Sequence, residues 1–508
     1  MQDGHIGKRY EQLKSDRDAY VDRARASASV TIPALFPPEG TDGNTNLRTP
    51  HQSLGARAVN TLAAKLLLAL LPPNQPFFRY TVDEKDIGEV TVDTKGEIEL
   101  SLAALERLTL RYIEHRQFQP VLHEGLKQLL LAGNVMLQVG NDGFKLFRLD
   151  KYVVKRDGMG NVREIIICEP ITKDDIPRHM RSRVIDNYRN DHGSLPTDKH
   201  KYKLYTQVKR QGHHWVVNQE INGHIDRKAR SVYQKDRCPY IALRMIRVDG
   251  EDYGRGYVEE YLGDIKSLEV LSKALNEGTT AAARILFLVR PNGSTKPKVL
   301  TETPNGGFAS GSDEEVSVLQ LEKQADFNTA RQRMAEIKED LSAAFLMNSA
   351  LTRQAERVTA TEIRAMAQEL ETVLGGVYSL LSIELQLPLV TVILGRLQRD
   401  GLMPEFPEDV LKPQVLTGVA ALGRSQELDK LRLFLEVMAP LGPEAVAQGI
   451  TVSEFAARVA AALSIDTTDL VPTREEVNQG KEEQEAKEMM QMLGPDMMKM
   501  LGGQQVQQ

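Results

Sequence analysis

Few residues in this chain combine type and spacing in a way that could do chemistry. Gly254-Arg255-Gly256 could approach a phosphate. It lacks the third glycine and the preceding strand context of a dinucleotide-binding turn, so we read it as a turn leading into the helix that follows. His123-Glu124 could open a zinc-binding H-E-x-x-H helix, but no second histidine falls at or near Gln128. His213 and His214 fall in an expected strand and would point to opposite faces, poor geometry for chelation. The run Ser312 to Glu315, "SDEE", has the oxygen ligands a divalent ion takes, and an acidic turn is the plainer account of it. No G-x-x-x-x-G-K-[ST] loop is present, and no paired carboxylates, Ser-His or Cys-His set stands out. The expectation is no catalytic centre, no metal and no cofactor.

One loop differs. In "NSALTRQAERVTA", Thr352, Arg353, Gln354 and Arg357 sit in a polar connection between two long helices. Arginines at a loop tip can meet phosphate oxygens directly, or simply be solvated.

The elements around that loop are well marked. The sequence predicts a charged helix over Lys8 to Val30, a leucine-rich helix over His51 to Leu71 stopped by Pro72-Pro73, and helices over Gly96 to Arg116 and Val121 to Ala132. Short β-rich runs with turn dipeptides between them ("VMLQV", "FKLFRL", "YVVKR", "VREIIIC", then "KYKLYTQV", "HHWVVNQEI" and "CPYIALRMIRV") predict a small antiparallel sheet and further strands. Thr172 to Pro196 is charged and poor in pattern. Tyr261, Ile265, Leu268 and Leu275 predict one long amphipathic helix. Strand-like segments follow, "ILFLVRPNGSTKPKVL" and "NGGFASGSDEEVSVLQL", before helix returns near Asp326. This is a stalk with a tip.

After the arginine loop, Thr359 and Glu362 form a capping box for a helix whose apolar face runs through Ile363, Met366, Leu370, Val373, Val377 and Leu380. Gly375-Gly376 is a kink site within it, and Pro388 a second break. Short helices are expected after Val415, ending in a Met- and Gln-rich tail.

Composition narrows the classes. The chain has 508 residues with 64 basic and 70 acidic side chains, a formal net charge of -6, and so no basic overall footprint for nucleic acid. The 2 cysteines, Cys168 and Cys238, suggest neither a disulfide framework nor a thiolate metal site. The start is polar where a signal peptide would be apolar. The run "LAAKLLLALLPP", interrupted by Lys65, is short of the roughly 20 residues a membrane span needs, so no membrane association is expected.

Taken as long blocks, "YEQLKSDRDAYVDRA", "GARAVNTLAAKLLLALLPP", "LKQLLLAGNVML", "CPYIALRMIRVDGEDYGRGYVEEYLGDIKSLE" and "LMNSALTRQAERVTATEIRAMAQELETVLGGVYSLLSIELQLPLV" resemble the head-tail connector, or portal, proteins of short-tailed bacteriophages of the autographivirus type. The resemblance runs from about residue 8 to about residue 470. It implies an α+β, mainly α fold with wing, stem, clip and crown. It also implies a ring, typically of twelve identical subunits, around a channel for double-stranded DNA at one capsid vertex. On that pattern residues 1–256 form the wing, 257–284 a stem helix, 285–325 the clip and 326–346 the returning stem helix. Residues 347–358 form the channel loop, 359–414 the long kinked helix and wing return, 415–471 the crown, and 472–508 a last helix and flexible tail.

The resemblance implies that Arg353, Arg357, Gln354 and Thr352 face DNA without sequence specificity. It implies that Arg290, Lys296 and Lys298 of the clip meet the terminase large subunit and then the tail adaptor. Scaffolding, major capsid and internal core proteins are the other implied partners, in a virion protein assembled in the host cytoplasm. The alternative is a virion structural protein without a channel, such as an adaptor or internal core component.

Overall fold

The computed structural model describes residues 4–72, 76–82, 92–192, 200–282, 286–319, 324–347, 360–403 and 411–415, with six helical residues between 433 and 459. Thr352, Arg353, Gln354, Arg357 and the capping Thr359 lie outside the described residues, as do nearly all of the helices expected after Val415 and the tail.

In chain order the elements are α1 (His5–Ser29), α2 (Leu54–Leu70), β1 (Phe78–Val82), α3 (Val92–His115), α4 (Phe118–Ala132), β2 (Asn134–Val139), β3 (Phe144–Arg148), β4 (Tyr152–Arg156) and β5 (Val162–Ile171). They continue with α5 (Arg178–His192), β6 (Tyr202–Gln211), β7 (His214–Ile221), β8 (His224–Gln234), β9 (Tyr240–Arg244), α6 (Tyr257–Glu260) and α7 (Leu262–Ala282). The remainder is β10 (Leu286–Val289), α8 (Pro297–Glu302), β11 (Val316–Leu319), α9 (Gln324–Ala344), α10 (Ala360–Leu374), α11 (Val377–Leu381), a π turn (Ser382–Gln386), α12 (Leu387–Arg399) and β12 (Leu411–Val415). The fold is α+β, as expected.

Two compact units result, one of residues 1–73 and 113–395, the other of residues 74–112 and 396–508. In the second unit β1 pairs antiparallel with β12, with Tyr80 opposite Pro413. Neither strand is in the sequence reading. Proline is tolerated in a pair that needs no donor on its outer side. Tyr80 locks this unit locally: its N–H donates to Glu106 at 3.1 Å, and its hydroxyl lies 3.0 Å from that of Thr109.

The first unit is built on a five-stranded antiparallel meander, β4-β5-β6-β7-β8, beside a three-stranded sheet, β3-β2-β9. The inner strand β5 has apolar residues at successive positions because both faces are covered. Ile165 and Ile167 join a core with Leu131, Met136 and Trp215, whereas Ile166 faces Ile6, Tyr10 and Leu13 of α1. Each such fully buried side chain is worth about 1.5–3 kcal/mol. Helix α1 has no side-chain cap of its own; the buried Glu220 of β7 accepts from the N–H groups of Ile6 and Gly7 at 2.9 and 3.0 Å.

The structure corrects the sequence reading in four places. Thr172 to Pro196 contains α5, held by Met180 and Val184 against Ile176, Tyr202 and Ile221, an apolar stripe too narrow to register among the charges. Strand β8 is the last strand of the meander and is mostly polar, so period-2 hydrophobicity does not reveal it. Pro297–Glu302 forms α8 rather than strand, with Pro297 at its first turn. The helix expected through Tyr261 is interrupted there, between α6 and α7.

Helices α4 and α6 are joined by an interlock of glycines. Gly133 ends α4 at φ 71°, and a Cβ there would lie 2.3 Å from the Arg255 carbonyl carbon. A Cβ on Gly256 would meet the Leu131 carbonyl oxygen at 2.6 Å. Asn134 clamps the crossing: its Oδ1 accepts from Gly254 N–H at 2.8 Å, and its Nδ2 donates to the carbonyls of Gly254 and Ala132 at 2.8 and 3.0 Å. Asn134→Ala strands these buried groups and should lower stability by about 2 kcal/mol. Gly256→Ala should cost more, because the opposing atom is backbone. Urea unfolding followed through the fluorescence of Trp215 checks both; no change in midpoint would refute the clamp.

Candidate functional site

The candidate chemistry resolves largely into structure. Arg255 lies between Glu251 and Glu259, at 2.6 and 3.0 Å, and those carboxylates raise its pKa further. Its G-x-G is therefore part of the interlock, with its charge already neutralised. His213 occupies the turn before β7 rather than a strand, and both it and His214 are exposed. Gln128 donates to Glu124 within α4, and burial pushes His123 below its ordinary pKa. Among the described residues, no group of three or more His, Cys, Asp or Glu could hold a metal.

The acidic turn has a defined role. The Glu315 carboxylate accepts from the N–H groups of Ser294 and Thr295 at 3.0 and 2.8 Å and from their hydroxyls at 3.0 and 2.7 Å. Those hydrogen bonds pull its pKa down to about 2. They hold the long connection between β10 and β11, which pair antiparallel from Leu286 opposite Leu319 to Val289 opposite Val316. Arg290, Lys296 and Lys298 are exposed on this insertion, Lys298 only loosely beside Glu302 at 3.8 Å. Phe308 and Leu288 are exposed as well.

The insertion is carried by two helices. Tyr257 and Tyr261 ring-pack on Phe345 at one end, and Gly278 admits Phe327 near the other, so α7 and α9 run antiparallel. Their shared seam is narrow: Ile265 and Leu268 on α7, Ile337 and Leu341 on α9. Most of their remaining surface is exposed.

The described elements on either side of residues 348–359 are tied down. Helix α9 closes with Leu346 N–H donating to Ala343 and Met347 N–H to Ser342, at 3.1 and 2.8 Å, a Schellman turn. Leu346 takes the left-handed position at φ 55°, where glycine is usual, a strain of roughly 1–2 kcal/mol. Lys65, buried in α2, donates to the Leu346 carbonyl at 2.7 Å and lies 3.7 Å from the Glu369 carboxylate of α10. One lysine thus touches the element before the segment and the element after it. Burial lowers its pKa, against the opposing pull of Glu369.

Beyond α10 the helix stops at Gly375, at φ 58°, and restarts at Val377. Helix α12 begins at Leu387, whose N–H reaches back to Ser382 in π geometry just before Pro388. The wider turn sets Glu384 against the sheet, where Arg244 reaches it through Nε at 3.0 Å and backbone N–H at 3.0 Å. Burial pushes the neighbouring Arg156 guanidinium down to about 10, opposed by Glu384 at 4.0 Å. Tyr378 and Gln386 donate to the carbonyls of Ala69 and Leu70, finishing α2. The span Val377–Arg399 is long and apolar enough by composition to cross a membrane, but 61% of its most apolar window is buried inside the fold, as in a core helix.

Of the residues singled out from sequence, Gly375 and Gly376 mark a helix junction, and Arg290, Lys296 and Lys298 share one exposed insertion. The sequence reading met Lys65 only as a lone charge in a leucine-rich run and Glu315 only as part of an acidic turn, and gave neither its partners; Glu384 it missed, with no signal to find it by.

A β-tipped helical arm, its returning helix tied to α10 through a buried lysine, is the framework of a structural assembly protein. The family model described as bacteriophage head to tail connecting protein matches residues 3–471. The portal protein of Escherichia phage T7 is 40% identical over 503 residues, 95% of this chain and 90% of that protein. That of Enterobacteria phage T3 is 40% identical over 486 residues, 92% and 88% of the two chains, and that of Enterobacteria phage SP6 32% identical over 439, 85% and 83%. A solved neck of an empty gene transfer agent particle covers 80% of this chain and 89% of its own at 12% identity and a TM-score of 0.37, too distant a likeness to carry an argument. The chain belongs to the bacteriophage head-to-tail connecting protein family. It is a head-tail connector, a portal-type protein of the virion's head-tail junction.

Two outcomes test the anchoring. Lys65→Met removes the tie to Leu346 and Glu369 and should cost about 1–3 kcal/mol in urea unfolding; an unchanged midpoint would count against it. Glu315→Ala should speed tryptic cleavage after Lys298 about fivefold, because the connection it holds would open more often. Cleavage at the original rate would show that the turn does not hold the insertion.

Proposed function

We propose that this connector works as a ring, of twelve copies, through which double-stranded DNA enters and leaves the head. The observation that carries the reading is that Lys65 ties the end of α9, just before residues 348–359, to α10, just after them. A segment fixed at its base can present Arg353 and Arg357 repeatedly around an axis, as a narrow basic band in an otherwise acidic ring. Such a band holds phosphates without reading bases, and an acidic wall elsewhere favours passage. Residues 257–284 and 326–346 act as the stem, 285–325 as the clip, 1–256 as the wing and 415–471 as the crown.

The clip's exposed Phe308 and Leu288 beside Arg290, Lys296 and Lys298 suit a docking face for a terminase during packaging and a tail adaptor afterwards. Scaffolding, capsid and internal core proteins meet other faces during assembly in the host cytoplasm. The chain carries out no chemistry itself; an ATPase on another chain supplies the work.

Negative-stain class averages of the purified protein should show rings with an open centre, and solid particles or monomers would refute the channel. In packaged heads, Arg353→Ala with Arg357→Ala should reduce DNA retention about tenfold, the scale of one charge-assisted hydrogen bond, with ring formation unchanged. Normal retention would remove the role given to these arginines.

A further inference from the structure

A cleft of about 580 Å³ opens where the start of α2 meets the α7/α9 arm. Arg57, Arg331 and Lys338 line it with Ser272 and Asn276, and no carboxylate does. Arg331 and Lys338 are exposed, and neither they nor Arg57 has a carboxylate partner among the described residues. Glu269, nearby on α7, is already engaged by the N–H groups of His51 and Gln52 at 2.8 and 3.3 Å and by Arg48 at 3.8 Å. In a chain of net charge -6 this is a local concentration of unneutralised positive charge.

The complement lies on the same helix. Seven residues separate Arg331 from Lys338, two turns on the cleft side of α9. Glu336, Glu339 and Asp340, spaced by three and four, form a stripe turned away from that side, and all are exposed. Glu336 pairs only with Arg333, at 3.0 Å, and Glu339 and Asp340 have no cationic partner among the described residues. The apolar seam on α7 holds the helix while leaving both charged sides free.

We propose that the cleft is a socket for the Glu336-Glu339-Asp340 stripe of a second copy of this chain, so that copies join head to tail through α9. The inference rests on the ring reading above and names the surfaces that would build the ring. Because socket and stripe are different surfaces, the contact is heterologous, and repeated contacts of that kind build a ring when the rotation from copy to copy closes, rather than stopping at a two-fold dimer. Exposed ion pairs add little energy each; here they fix register and exclude the inverted pairing, in which like charges would meet.

Charge reversal tests this without disturbing the core, since the reversed residues are exposed. Arg331→Glu with Lys338→Glu gives a copy acidic on both sides; Glu339→Lys with Asp340→Lys gives one basic on both sides. Each alone should assemble at least about tenfold more weakly than the unsubstituted protein in light scattering after size exclusion, with unchanged circular dichroism. Mixed in equal amounts, they should recover rings, because each socket then meets a stripe of opposite charge in alternating copies. Rings from either variant alone, or no recovery on mixing, would overturn the socket. An unsubstituted protein that stays monomeric would overturn the ring reading and the socket with it.

Discussion

The crossing of two backbones at Gly133, Gly254 and Gly256 is the constraint on which the rest of the first unit depends. There the chain leaves α4 for the central strand of one sheet and, some 120 residues later, passes the same point on its way into α6 and the arm. The carbonyls and N–H groups approach so closely that no side chain fits, and the buried Asn134 amide supplies the hydrogen bonds that the irregular backbone lacks. The sheet and the arm are therefore referred to a common point. A connector needs that relation, because a displacement at the root of a helix of 21 residues is magnified at its tip.

Buried charge supplies the remaining ties. Lys65, and the pair of Arg244 with Glu384, each join elements separated by well over a hundred residues. Desolvating such groups is expensive, and a hydrophobic replacement is often as stable. What they add is direction: Lys65 requires a carbonyl and a carboxylate at particular places, whereas a leucine would accept many arrangements. The ties concentrate on either side of segment 348–359, at the end of α9, at α10 and at the π turn, where the chain changes direction and Leu346 carries left-handed strain.

What is left unpaired is as informative as what is tied. The helices of the arm share a thin apolar seam and expose charged sides of opposite sign, and the insertion they carry shows apolar and basic residues together. For an isolated monomer these are poorly used surfaces. Under the function proposed above, they are the surfaces where neighbouring copies and partners would meet.

Local order was legible in the sequence to the extent that it is written in nearest neighbours. The periodicity of α1, α2, α4 and α9, the turn signals between β2 and β5, and the glycine pair after Leu374 all report on residues within a few positions of one another. Long blocks carried the family in the same way. Helix α5 and strands β1, β8 and β12 escaped because their stability comes from what they meet, not from their own pattern: β1 finds β12 more than 320 residues away, and α5 is held by a few apolar side chains. The candidate site divided similarly. The exposed cations of the β10–β11 insertion and the glycine pair could be picked out by residue type, whereas Lys65 looked like a flaw in an apolar helix, Glu315 like a loose acidic turn and Glu384 like an ordinary helical residue. Only the tertiary structure gave them partners, because a hydrogen bond or ion pair depends on distance in space, and sequence separation does not encode it.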